Sequence, residues 1–341
     1  MNYKIVAIDL AKNVFQVCAL DKNHKVKMNK KVTRAKLLDT LRQMEPTLVV
    51  MESCYSANPW GREIIKLGHT VRLIPAYMVK PFVVGNKNDR NDALAIAEAA
   101  LRPKVRFVPV KTIEQQDIQS LQRMRDLLLR QRTATSNQLR GLLAEYWIVI
   151  PKGRSSLNTK VYEILEDAEQ PLTVTMRRSV HAINERLLEF DRQIKDIEKE
   201  LYALLDVQED FHLLQTIPGI GPVGAATFIA AINDAKHFKN GRELSAWIGL
   251  TPKQHSSGEK SILGNISKRG NRDLRRVLAH GARSVMNWCE KKTDPLSLWV
   301  KELASRMHPC KVIVALANKL ARIAWAVLSR KEPFKVEALA N

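Results

Sequence analysis

Two aspartates three residues apart open an alanine-rich stretch, Gly85-Asn-Lys-Asn-Asp89-Arg-Asn-Asp92-Ala-Leu-Ala-Ile-Ala-Glu-Ala-Ala100, that reads as a short helix. Residues i and i+3 are neighbours on a helix, and carboxylates crowded there repel unless a cation or water separates them. Asp89 and Asp92 are therefore candidate ligands for a hard divalent metal. The competing reading is structural: Asp89 caps the helix and both acids suit its positive N-terminus. Two more acids stand upstream. Asp9 lies between Ile8 and Leu10 in an apolar run, where an unpaired charge costs on the order of several kcal/mol, and Glu52 ends the run Thr47-Leu-Val-Val-Met. No Arg or Lys is next to either, which favours a metal; a strand-end acid accepting backbone hydrogen bonds is the alternative for each.

The elements that must position these acids follow from local pattern. Residues 3–10 and 14–20 are rich in β-branched and aromatic side chains and predict two strands joined by a tight Ala-Lys-Asn turn, with a third strand over 24–32. Thr33 is placed to cap a helix carrying Leu37, Leu38 and Leu41. The apolar run ending at Glu52 has the texture of a strand buried on both faces of a parallel sheet. Asn58-Pro59 predicts a helix start and Gly68 its end. Residues 70–75 make a fifth strand, and 105–110 one more extended segment. Three strands followed by alternating helices and strands predict an α/β layer whose sheet starts as a meander and turns parallel.

Beyond residue 110 the pattern changes to long helical periods. Apolar residues at Ile118, Leu121, Met124, Leu128, Leu139, Leu142 and Leu143, and again at Val180, Ile183, Leu187, Phe190, Ile194, Ile197 and Leu201, recur every three or four positions, predicting a coiled-coil hairpin around a Pro151-Lys-Gly-Arg-Ser-Ser loop. Ile217-Pro-Gly219-Ile-Gly221-Pro222 then resembles a helix-hairpin-helix turn, in which glycines at positions 219 and 221 let backbone N–H groups approach a phosphate; close helix packing is the other use for them. Residues 236–276 carry ten Lys/Arg against three acids, Glu243, Glu259 and Asp273. Lys253, Lys268, Arg269, Arg272, Arg275 and Arg276 are candidate nucleic-acid contacts within that segment, which small turn-forming residues interrupt as in a phosphate-gripping loop. The tail to Arg330 predicts two or three helices broken near Asp294-Pro295 and His308-Pro309, with Trp288, Trp299 and Trp325 in the core.

Composition points the same way. The 341 residues carry 55 Lys/Arg and 35 Asp/Glu, a formal charge of +20, with a pI near 9.9. Fold stability does not need such an excess and self-repulsion opposes it, so a polyanion is the expected partner. Four scattered cysteines form no Cys-x-x-Cys pair, which excludes a structural zinc site or disulfide framework and fits a reducing cytoplasm. The N-terminal apolar run is too short for a signal peptide, and no uninterrupted apolar stretch reaches the ~20 residues of a membrane span.

Asp9 in the first strand, Glu52 after the fourth and the Asp89/Asp92 pair after the fifth resemble the four-acid site of RuvC-like nucleases within the ribonuclease H-like fold. Gly85-Asn-Lys-Asn-Asp-x-x-Asp-Ala resembles more closely the DEDD transposases of bacterial insertion sequences, the family that includes the Piv DNA invertase and the bridge-RNA-guided recombinases. Gly249-Leu-Thr-Pro, Ser257-Gly258 and Ile266-Ser-Lys-Arg-Gly-Asn271 resemble the C-terminal domain of the same family. The resemblance implies an α/β ribonuclease H-like domain over 1–110 and a mainly α domain over 208–341; the stretch between, 111–207, carries no family signature and is assigned as a coiled-coil helical hairpin from its periodicity. It implies Mg²⁺ or Mn²⁺, one ion or two, held by Asp9, Glu52, Asp89 and Asp92, and a serine nucleophile. The serine before the glycine is Ser257, with Ser256 beside it as the alternative. Serine hydroxyl is a poor nucleophile without a base or metal, and this segment offers His255 but no carboxylate base. The resemblance further implies donor and target DNA, a dimer or tetramer acting at the bacterial nucleoid, and in some members a structured guide RNA. Two other functions fit the residues: a RuvC-type Holliday-junction resolvase or endonuclease using water, and a non-catalytic nucleic-acid scaffold.

Overall fold

Alternation along Ile5-Val-Ala-Ile-Asp9 sends Val6 and Ile8 into one apolar cluster and Ile5 and Ala7 into another, so this strand is covered on both faces. In the computed structural model, which describes residues 3–86, 88–103, 105–232, 234–257 and 260–335, the chain divides into two compact units, 1–113 and 114–341.

The first unit is built on a five-stranded sheet of β1 (Ile5–Asp9), β2 (Val14–Leu20), β3 (Val26–Thr33), β4 (Leu48–Glu52) and β5 (Thr70–Ile74), in the order β3-β2-β1-β4-β5. β1, β2 and β3 pair antiparallel, whereas β1, β4 and β5 run parallel. This is the predicted meander that turns parallel, and its order is compatible with a ribonuclease H-like domain. Helices α1 (Leu37–Arg42) and α2 (Ala57–Lys66) cover one face through Leu37, Leu41, Ala57 and Ile64. The other face carries α3 (Ala76–Val79) and α4 (Asp89–Ala100).

Three local expectations need correction. Thr33 precedes a 3-10 turn over Arg34–Lys36 and makes no side-chain cap, so α1 begins at Leu37. Helix α2 begins at Ala57, because the Asn58 side chain accepts a hydrogen bond from the Lys111 backbone at 3.0 Å instead of capping the helix. Among the described residues, the extended segment after residue 105 pairs with the sheet through one antiparallel bridge between Leu73 and Val108.

In the second unit, α5 (Ile113–Ala144) and α7 (Val174–Leu205) run antiparallel. Ile118 and Leu121 cluster with Ile197, Leu201 and Leu205, while Leu139 and Leu143 cluster with Val180 and Leu187. Between these layers Arg125 meets Glu198 at 2.7 Å and Arg132 meets Asp191 at 2.8 Å. Arg154 also reaches Asp191, at 2.6 Å, from α6 (Arg154–Glu166), a helix that starts where the sequence suggests only loop. Burial pushes the Asp191 carboxyl upward, but the two guanidiniums outweigh it and hold the group below its ordinary value.

The remaining chain forms α8 (Glu209–Gln215), α9 (Pro222–Ala231), α10 (Gly241–Ile248), a hairpin of β6 (Pro252–Ser257) and β7 (Lys260–Ile266), then α11 (Arg272–Trp288), α12 (Pro295–Arg306) and α13 (Pro309–Arg330). The breaks before α12 and α13 fall where predicted: Asp294 and His308 cap the two helices ahead of their prolines. α9 is apolar nearly all round and buried in the cluster that joins α8, α10, α11 and α13. α13 is long and apolar enough to cross a membrane, with a mean hydropathy of 1.6, yet Leu316, Leu320 and Val327 are buried in this cluster. Trp288 departs from the expected core position: it is 57% exposed, with Lys291 over its ring.

The Pro-Gly-Ile-Gly turn packs against α11 at one point. Gly219 adopts φ +84°, and a Cβ there would stand 2.6 Å from the carbonyl oxygen of Gly281. Gly219→Ala combines left-handed strain with overpacking, each about 1–3 kcal/mol, and is expected to lower the melting temperature by many degrees. Gly141, exposed in α5 with open space around it, is the control: Gly141→Ala should raise stability by about 0.5–1 kcal/mol. Thermal unfolding of both variants checks the contrast.

Candidate active site

Parallel pairing of β1 and β4 sets Ile8 beside Met51, so the next residues, Asp9 and Glu52, end adjacent strands together. Neighbouring strands lie about 4.8 Å apart. By alternation both acids share the face of Ala7 and Val50, the face covered by α4, and both are half-buried. α4 approaches this face through Ala93, Ala95, Ile96, Ala97 and Ala99, whose short side chains let the helix lie close. Asp92 is half-buried in its first turn, while Asp89 is exposed.

The cap of α4 is Asn88, whose side chain accepts from the Asn91 backbone at 2.9 Å, so Asp89 does not cap the helix. Asp89 instead faces Lys31 of β3, 3.5 Å away, in an exposed ion pair. The structure thus brings Asp9 and Glu52 together beneath the helix that carries Asp92, and turns Asp89 toward a lysine. Among the described residues, no three His, Cys, Asp or Glu side chains are grouped to hold a metal ion in this arrangement.

Sequence reading missed Gln16 and Asn29. Gln16 lies directly across from Asp9 in β2, on the same face, and is only 5% exposed. Its Nε2 donates to Asn29 Oδ1 at 2.6 Å, and Asn29 Nδ2 donates to the Arg90 carbonyl at 3.1 Å, tying the first turn of α4 to the sheet. Gln16 Oε1 is left buried without a hydrogen-bond partner. A polar residue within a β-strand was the available signal. The orphaned oxygen across from Asp9, with Glu52 on the strand beyond, supplies only oxygen donors, the kind hard divalent cations take; the residue types fit such an ion. Cys18, on the same face, is no rival nucleophile: burial, helped by Glu98, pushes its thiol up to about 11.

The predicted serine belongs to the second unit, where the expected loop is a hairpin. β6 and β7 pair antiparallel, with Ser257 opposite Lys260 at the tip; Gly258 lies outside the described residues. Every residue of β6 is exposed. Alternation puts His255 and Ser257 on one face and Ser256 on the other, where Ser256 Oγ accepts from Gln254 at 2.9 Å. The hairpin's base is held by Gly249, whose positive φ and contact with Arg269 backbone leave no room for a Cβ.

The candidate nucleic-acid contacts divide. Gly221, the N-cap of α9, has nothing within 4 Å of a built Cβ, and Lys253, Lys268, Arg269 and Arg272 are exposed. Gly219 is occupied by helix packing. Arg275 donates to the Ile248 carbonyl at 2.7 Å, and burial first, then nearby Arg272, holds its guanidinium below the ordinary value. Arg276 pairs with Asp126 and Asp273.

If Asn29 anchors α4, Asn29→Ala should speed hydrogen exchange at the first-turn amides Asn91 to Ala93 and cost about 1 kcal/mol, with exchange in β1 and β4 unchanged. Uniform acceleration across the sheet would show a general loss of folding instead.

A family model for DEDD transposases of the IS110 type matches residues 6–148, and one described as the transposase IS116/IS110/IS902 family matches residues 211–296. A probable family 20 transposase of Pseudomonas aeruginosa is 43% identical over 336 residues, covering 98% of this chain and 99% of that protein. The transposase for insertion sequence element IS1111A of Coxiella burnetii is 44% identical over 335 residues, covering 98% and 92%. The pilin gene-inverting protein of Moraxella bovis is 25% identical over 230 residues, 60% of this chain and 68% of that one. Two matched regions reach from the acid-bearing sheet to the serine hairpin, and similarity to transposases runs over nearly the whole length: the chain belongs to the IS110/IS116 family of insertion-sequence transposases, DNA-recombining enzymes whose DEDD domain implies dependence on a divalent metal.

Proposed function

We propose that this transposase cuts and rejoins DNA through a covalent serine–DNA link, with Asp9, Glu52, Asp89 and Asp92 holding Mg²⁺ or Mn²⁺. The observation that carries the reading is the placement of Asp9 and Glu52 side by side under the helix that bears the aspartate pair. Asp9 and Glu52 are fixed by strand register, and Asp92 by the packing of α4. Asp89 would complete the set on release from Lys31. Bound there, such an ion would supply Lewis-acid polarisation of the scissile phosphate and offset charge on the entering and leaving oxygens.

Ser257 Oγ attacks phosphorus; a serine-phosphate bond forms as the bond from phosphorus to the bridging sugar oxygen breaks. The serine proton leaves to a base, for which His255 on the same hairpin face is the nearest candidate in sequence, and the sugar oxygen departs as a hydroxyl after taking up a proton. The link conserves the phosphodiester's energy, so reversal onto another strand's hydroxyl needs no nucleotide cofactor. Ser257 is favoured over Ser256 because Ser256 Oγ already accepts from Gln254. Exposed Lys253, Lys268, Arg269 and Arg272 would bind DNA phosphates without reading sequence. Assembly as a dimer or tetramer, with serine and acids drawn from different copies, and use of an element-encoded guide RNA rest on the family resemblance alone.

A denaturing gel of the full chain with nicked or cruciform DNA tests this. A slow, protease-sensitive adduct is expected, reduced on the order of a thousandfold or more by Ser257→Ala, retained in Ser256→Ala and absent in Asp9→Asn. Clean hydrolysis that ignores Ser257→Ala would instead identify a water-using nuclease.

A further inference from the structure

A second basic site is formed by residues outside the hairpin. α10, α12, α13 and residues 332–335 line an open hollow of about 670 Å³. Along α13, Ala315 and Ala326 line it with short side chains, while Lys319, Arg322 and Arg330 supply charge; Arg242 adds a fourth cation from α10, Lys335 a fifth from the segment after α13, and Trp299 an aromatic plate from α12. Among the described residues none of these five cations has a carboxylate within ion-pair distance, although Glu332 also lines the wall. Five cations gathered around one hollow without a partner carboxylate favour an anion there. Burial, then the neighbouring Arg322, holds the Lys319 ammonium below its ordinary value, the expected strain of crowding cations without a counter-ion.

We propose that this cavity takes an unpaired nucleotide of a nucleic-acid strand, its base stacked on Trp299 and its phosphates held by Lys319, Arg322 and Arg330. Lys319 Nζ lies 4.3 Å from the centre of the Trp299 ring, on the π-face a base would use. An arriving base displaces the ammonium from the ring and leaves it free for phosphate. Trp299 is half-buried and held by packing against the core, whereas Trp325, which also lines the cavity, is fixed by donating to the Ala235 and Phe238 carbonyls at 3.0 Å. A concave pocket with one aromatic plate suits a base out of its stack; duplex grooves are read by protruding helices or ribbons. Asn318, another lining residue, donates to the Leu250 carbonyl at 3.3 Å, so the cavity borders the foot of the serine hairpin. A strand anchored there would lead toward β6. The proposal does not depend on Ser257 chemistry or on the metal.

Fluorescence anisotropy of the full chain with short labelled single strands of DNA and RNA of one sequence, and with the matching DNA duplex, tests it. Trp299→Leu should weaken single-strand binding by about 5- to 100-fold, Trp299→Phe much less, and duplex binding by less than about twofold. Lys319→Gln with Arg322→Gln should weaken single-strand binding and flatten the salt dependence of log Kd by about 1.4, with an unchanged melting temperature. Whichever of DNA or RNA shows the larger loss is the natural strand. Single-strand affinity unmoved by both the tryptophan and the cation variants overturns the proposal. So does equal loss for duplex and single strand, or inorganic triphosphate binding that needs the cations while Trp299→Leu leaves every strand affinity unchanged.

Discussion

Parallel register between β1 and β4 is the constraint on which the first unit's chemistry depends. Because Ile8 stands beside Met51, the strands end together and the acids that follow are neighbours in space despite lying far apart in sequence. A one-residue slip would turn either acid to the opposite face. The apolar residues before them, buried in two clusters on opposite sides of the sheet, make such a slip costly. The alanine face of α4 completes the arrangement by bringing a helix start close to those strand ends. Gln16 and Asn29 fasten that start through a polar chain that terminates in one unsatisfied buried oxygen.

The second unit divides its work between a tightly packed interior and an exposed tip. Gly219 and Gly249 serve close packing, so glycine in a DNA-binding context is not by itself a phosphate contact. Gly221, with open space around it, remains suited to that use. The β6–β7 ribbon has no buried residue in its first strand, and isolated two-stranded ribbons are marginal in water. Under the proposed mechanism, a serine on such a ribbon would gain access at the expense of preorganisation.

Much of this was legible in residues alone. Runs of β-branched and aromatic residues, one of them continuously apolar, pointed to the five strands, their order with the helices to the change from meander to parallel, and the proline breaks located α12 and α13. Asp9 and Glu52 stand out in the sequence as acids inside or ending apolar runs, and Asp89 and Asp92 by their spacing at a helix start. Asn88 rather than Asp89 as the cap was not, since Asn and Asp serve nearly equally at that position. Lys31 as the partner of Asp89 depends on a cross-strand and helix arrangement that local sequence does not encode. The β6–β7 hairpin was hidden by its polarity: without alternating apolar residues in Pro252–Ser257, it reads as loop. α6 was hidden by a weak apolar period, and Trp288 shows that a large aromatic residue in a helix is not thereby in the core.

The central claim is that the acids at the ends of β1 and β4 form a divalent-metal site with the α4 pair. The most direct measurement is Mn²⁺ binding to the full chain followed by electron paramagnetic resonance, comparing the native sequence with Asp9→Asn and Glu52→Gln. Saturable Mn²⁺ binding that either substitution weakens by an order of magnitude or more, at unchanged melting temperature, is the predicted result. Mn²⁺ affinity and stoichiometry identical in all three folded proteins would contradict it.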